Sequence, residues 1–92
     1  MEMHQVRYFL AVARTTNFTR AAEECNVAQP SLPRAIKLLE SELGGELFRR
    51  ERPAAVLTPR GEKMYPLLKQ CYDSAQSARA LAVRVNDGEI GT

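Results

Sequence analysis

Two clusters of side chains carry the polar chemistry of this chain. Gln29, Arg34 and Lys37 fall within nine positions, and Arg49, Arg50 and Arg52 within four. Arginine can bond guanine bidentately and glutamine can do the same for adenine, whereas lysine and arginine also pair with phosphate as plain charges. Catalytic or metal chemistry has much less to draw on. His4 is the single histidine, Cys25 and Cys71 are 46 positions apart with no Cys-x-x-Cys, and Ser31 sits in no nucleophile-elbow context. There is no glycine-rich phosphate loop, so neither an enzyme, a metal centre nor a disulfide framework is expected. Both cysteines fit best as small buried hydrophobes in a reducing cytoplasm.

The 92 residues suffice for one small domain with a modest core and leave no room for a second domain enclosing a substrate. Hydrophobic residues make up 45% and charged ones 26%, proportions that favour folding over disorder. The formal net charge is only +2, so its distribution matters more than its sum. No apolar run approaches a membrane span, and the N-terminus lacks the layout of a signal peptide.

Apolar periodicity places the elements that must hold the two clusters. Val6, Phe9, Leu10 and Ala13 define a first helix over 3–15. Asn17 caps a second of about two turns, over 18–25, with Phe18, Ala21, Ala22 and Cys25 on its apolar stripe. A tight turn at Asn26, Val27 and Ala28 leads to a third helix that begins near Gln29 or Pro30. Its buried stripe is Leu32, Ala35, Ile36, Leu39 and Leu43, and Gly44-Gly45 supplies a left-handed stop. The opposite face then carries Pro30, Arg34, Lys37 and Ser41. Leu47-Phe48 and Val56-Leu57 read as two short strands around an arginine-rich tip containing Pro53. Thr58 caps and Pro59 opens a long helix, with Pro66 as a local flaw that should kink it.

In that last helix Met64, Leu68, Cys71, Ala75, Ala78, Ala82 and Val85 recur at alternating spacings of four and three. Such a heptad seam on a domain this small predicts a partner helix from a second chain. The expected architecture is mainly α: a winged helix-turn-helix of three helices and a β-hairpin over 1–58, a dimerisation helix over 59–86, and a hinge over 87–92.

On this frame the third helix has the setting of a recognition helix, with a two-turn helix and a short turn before it. Gln29 and Arg34 are the candidates for base contact, with Pro30 and Ser31 beside them. Lys37 reaches either phosphate or a base edge. Arg49, Arg50 and Arg52 fit the phosphate backbone, and Thr19 and Arg20, in the first turn of the second helix, can add backbone contacts. The competing reading makes Arg34 and Lys37 an ordinary solvated helix face paired with Glu40, and the hairpin a charge-protected edge.

The order of Phe18-Thr19-Arg20-Ala21-Ala22, Gln29-Pro30-Ser31, Leu39-Glu40 with Leu43-Gly44, Leu47-Phe48-x-Arg50 and Leu57-Thr58-x-x-Gly61 resembles the DNA-binding domain of LysR-type transcriptional regulators. The resemblance covers essentially the whole chain. It implies a cytoplasmic transcription factor that binds double-stranded promoter DNA as a homodimer through the long helix, with scope for a higher oligomer in the full-length protein and no membrane. It also implies that no cofactor belongs to this chain, and that a small-molecule inducer binds an effector domain absent from it. The chain thus reads as a DNA-binding fragment.

Two residues depart from the family pattern. Ala28 stands where a serine usually precedes the Gln-Pro pair, which removes a helix cap. Pro33 stands where a hydroxylated residue is usual. In a helix begun at Gln29 it would clash with the Gln29 carbonyl at a cost of about 3 kcal/mol, whereas a helix begun at Pro33 itself would avoid the clash.

Overall fold

The computed structural model describes residues 1–51 and 54–88. Its elements run α1 (Met3–Thr15), α2 (Phe18–Cys25), α3 (Ser31–Leu43), β1 (Phe48–Glu51), β2 (Ala54–Leu57) and α4 (Pro59–Asn86). This is the mainly helical winged helix-turn-helix anticipated from periodicity.

Most helix ends fall where local chemistry puts them. The Asn17 side chain accepts from the Arg20 amide at 2.9 Å, and Thr58 Oγ1 accepts from the Gly61 amide at 3.0 Å. Gly44, at φ 85°, ends α3 in the left-handed region, and the Glu40 carbonyl accepts the amides of Gly44 and Gly45. The start of α3 falls one residue after Pro30, close to the expected position. Pro30 is itself at φ −67° and ψ −23°, the Ser31 amide donates to the Ala28 carbonyl at 3.0 Å, and the regular helix opens only at Ser31. Pro33 is therefore the third residue of α3, where no helical amide bond is lost. Neither a start at Gln29 nor one at Pro33 is adopted.

The core is built where α1 crosses α2, α3 and the first turns of α4. Phe9, Leu32, Ile36, Leu39, Leu47 and Phe48 are fully buried. Phe48 is the keystone, its ring centroid 5.3 Å from Phe9 on α1 and 6.0 Å from Phe18 on α2. Rings at these separations add to their area burial.

The hairpin differs from expectation in where it begins. The strands pair antiparallel in the register Phe48↔Leu57, Arg49↔Val56, Arg50↔Ala55 and Glu51↔Ala54. Leu47 precedes β1, its amide taken by the Glu40 carboxylate at 2.7 Å, and the backbones of Arg49 and Arg50 belong to the strand rather than to a tip. The hairpin is also tied to the turn between α1 and α2: the Ala55 amide donates to the Thr16 carbonyl at 3.0 Å, and Asn17 bridges to Ala54.

The helix α4 runs without interruption through Pro66 for 28 residues, about 42 Å at 1.5 Å per residue. Among the described residues no helix is long and apolar enough to cross a membrane. Its first turns are part of the core, since Gly61 and Leu68 are buried and Met64, Tyr65 and Tyr72 pack against the cluster. The division expected at 58/59 is therefore one of secondary structure, and the apolar core runs across it. From Gln76 to Gly88 every residue is exposed.

Candidate nucleic-acid interface

The outward face of α3 is formed because its inward face is used up. Leu32, Ala35, Ile36 and Leu39 are buried, which leaves Arg34, Lys37 and Ser41 exposed on the other side. Gln29 and Pro30 are exposed in the preceding turn, and Ser31 is exposed at the first position of α3. Thr19 and Arg20 are exposed in the first turn of α2. Neither Arg34 nor Lys37 makes an ion pair among the described residues.

Glu40 corrects the competing reading of this face. It is only 6% exposed, and its Oε2 accepts from the amides of Leu47 at 2.7 Å and Phe48 at 3.4 Å. A carboxylate turned inward onto the hairpin is not a surface partner for Arg34 and Lys37. It instead fastens the last turns of α3 to the start of β1. Its spacing from Leu39 makes it look like an ordinary boundary residue, and only the distant amides reveal its role.

Leu38 was also missed from the sequence. It is 59% exposed, four residues after Arg34 and so on the same helical face. On a surface of this kind an apolar side chain can meet a thymine methyl group.

On the hairpin, Arg49 is exposed and Arg50 lies in β1 opposite Ala55. Arg52 falls outside the described residues.

The proposed seam on α4 divides. Leu68 is 4% exposed and Met64 packs on the same core, because α1 lies beneath the first turns of α4 and claims that stripe. Both are corrected from a free seam to the chain's own core. Cys71 and Ala75 are half-buried, and Ala78, Ala82 and Val85 are exposed. Leu67 at 62% and Leu81 at 49% are exposed as well and had not been assigned to the seam. The free stripe is thus Leu67, Cys71, Ala75, Ala78, Leu81 with Ala82, and Val85, again at spacings of three and four.

A cleft between α1 and α4 holds three further basic residues, Arg7, Arg14 and Lys69, and each has a partner there. Arg7 Nη2 donates to the Cys25 carbonyl, the last of α2, at 2.7 Å. Arg14 bonds both carboxylate oxygens of Glu24, which holds the Glu24 carboxyl below its ordinary range. Lys69 pairs with Asp73 at 3.0 Å and is raised by that bond.

Residues 3–62 match the model of the bacterial regulatory helix-turn-helix protein, lysR family. The chain is 49% identical over 90 residues to the HTH-type transcriptional regulator BudR of Klebsiella aerogenes, covering 94% of this chain and 63% of that protein. It is 42% identical over 85 residues to a probable cat1 operon transcriptional activator of Acinetobacter lwoffii, covering 92% of this chain but only 28% of that one. Among solved structures, the BenM DBD in complex with catB site 1 DNA superposes with a TM-score of 0.87 at 33% identity, covering 99% of this chain and 98% of that one.

Proposed function

The chain belongs to the LysR family of bacterial regulatory helix-turn-helix proteins, and from that premise we propose that it is a sequence-reading, DNA-binding module of a transcriptional regulator. The α3 helix enters the major groove, with Gln29 and Arg34 toward base edges and Ser31, Pro30 and Lys37 beside them. The arginines of the hairpin, with Thr19 and Arg20, hold flanking phosphates. Two copies pair through the exposed stripe of α4 and so address two half-sites. The observation that carries this reading is the exposure of Arg34 and Lys37 on α3 without an ion pair among the described residues, together with the exposed Arg49 of β1.

No residue here is assigned a catalytic role, and a small-molecule inducer is assigned to an effector domain beyond these 92 residues. The chain works by binding in the cytoplasm.

A mobility-shift titration of the chain against duplexes from upstream of its own and neighbouring genes tests the proposal. If a pair of copies neutralises six to ten phosphates, affinity should fall by about 10³–10⁵ between about 50 and 200 mM salt. No shift at low salt, or one indifferent to salt, would overturn the DNA reading in favour of a winged helix that binds only protein.

A further inference from the structure

Arg60, the second residue of α4, points its guanidinium at the end of α3. Its Nη1 donates to the Leu43 carbonyl oxygen at 3.1 Å. Leu43 is the last residue of α3, so its carbonyl has no helical donor, and a cation there also faces the negative end of the helix dipole. The guanidinium lies across the backbone of Gly45: a Cβ on that glycine would stand 2.4 Å from Arg60 Nε and 2.8 Å from Cζ. The missing side chain of Gly45 is what makes room for the contact.

The first turn of α4 has a second attachment nearby. The Thr58 amide donates to the Leu47 carbonyl at 3.0 Å, and a Cβ on Gly61 would come within 2.2 Å of that same oxygen. The Thr58 hydroxyl also donates to the Glu46 carbonyl at 2.6 Å, so these contacts fasten the start of α4 to the segment ahead of β1, and Leu68 seats the helix on the core. What Arg60 adds is a direct tie from α4 to the end of α3 itself.

We propose that Arg60 is a positioning residue, cradled by Gly45, that sets the angle between α4 and α3 and thereby the half-site spacing that a pair of chains accepts. This rests on the DNA-binding reading above, in which α4 joins the copies and α3 enters the groove. The leverage is large for a small rotation. The 13 residues of α3 span about 20 Å, so turning it by about 10° moves its far end by about one base-pair step of ~3.4 Å.

The test uses duplexes carrying two copies of a half-site that the unaltered chain has selected from a random pool, with the separation stepped one base pair at a time, and a duplex with one half-site. The unaltered chain should favour one separation over its immediate neighbours. Arg60→Ala should flatten that preference by about fivefold, the scale of one lost hydrogen bond, and leave the single half-site affinity unchanged. Gly45→Ala should do the same, because it keeps the charge of Arg60 but evicts the guanidinium. Its backbone is not in the left-handed region, and the displaced group is the free end of a flexible side chain. The proposal is overturned if both variants keep the original spacing profile. It is equally overturned if Arg60→Ala loses affinity alike at every separation and on the single half-site while Gly45→Ala loses none, since Arg60 would then be a phosphate contact. Failure of the unaltered chain to select any duplex would sink the DNA reading itself, and this inference with it.

Discussion

The outward face of α3 and the cleft between α1 and α4 both carry basic side chains, yet they use them in opposite ways. In the cleft Arg7 is bonded to the Cys25 carbonyl, Arg14 to Glu24 and Lys69 to Asp73. On α3, Arg34 and Lys37 are exposed without an ion pair among the described residues, and the nearest carboxylate along the helix, Glu40, is turned inward onto the hairpin amides. A cation that already has a partner must break that bond before it can meet another anion, whereas a solvated one can exchange its counterions for phosphate directly. The net charge of +2 averages over both situations and reports neither.

The largest effects should come from the exposed face of α3 and the hairpin. Arg34→Ala is expected to cost about 1–3 kcal/mol in DNA binding and to relax base preference, whereas Arg49→Ala should weaken binding to all sequences and reduce the salt slope by about 1. Neither should alter the thermal midpoint much, because exposed substitutions of this sort stay within about 0.5 kcal/mol. Binding titrations on matched and scrambled duplexes at several salt concentrations check both. Exchanged phenotypes would reverse the assignment of base and phosphate roles.

The paired side should respond in stability instead. Arg7 supplies a charge-assisted bond to the last carbonyl of α2, partly open to solvent. Arg7→Ala should therefore lower the unfolding free energy by about 1 kcal/mol, seen as a shift in the denaturant midpoint at constant slope. Its DNA affinity should match that of the unaltered chain. A variant as weak on DNA as Arg34→Ala, at unchanged stability, would erase the distinction between the two regions.

How much of this was legible in the residues follows from how local each cause is. The starts of α2 and α4 and the stop at Gly44 were readable because Asn17, Thr58 and a glycine act within a turn of themselves. The start of α3 was readable only to within a residue or two, because Pro30 holds a helical backbone without supplying a side-chain cap. The hairpin register depends on Thr16 and Asn17, thirty and more positions upstream, and Glu40 is recognisable only once the amides of Leu47 and Phe48 are beside it. The α4 seam shows a different limit. A heptad reports that a stripe wants covering, but Met64 and Leu68 find their cover in α1, and periodicity is blind to whether a partner lies in the same chain.

The smallest effect separates the availability of a cation from its position. The bond from Arg14 lowers the Glu24 carboxyl, outweighing the opposing effect of burial. A lowered carboxylate adds stability that is fully present above its unfolded value, about 4.3, and that disappears as pH falls through the lower folded value. The thermal midpoint of Glu24→Gln should therefore sit slightly below that of the unaltered chain at neutral pH, and the gap should close in that acid window. Both partners are solvent-facing, so the gap should also shrink in high salt. The same substitution leaves Arg14 without its carboxylate partner while keeping it in the cleft. If an uncommitted cation anywhere on the molecule were enough to hold phosphate, Glu24→Gln would steepen the salt dependence of DNA binding. An unchanged slope is expected, because Arg14 stands on the cleft side of α1 and its release puts no charge beside Arg34 and Lys37.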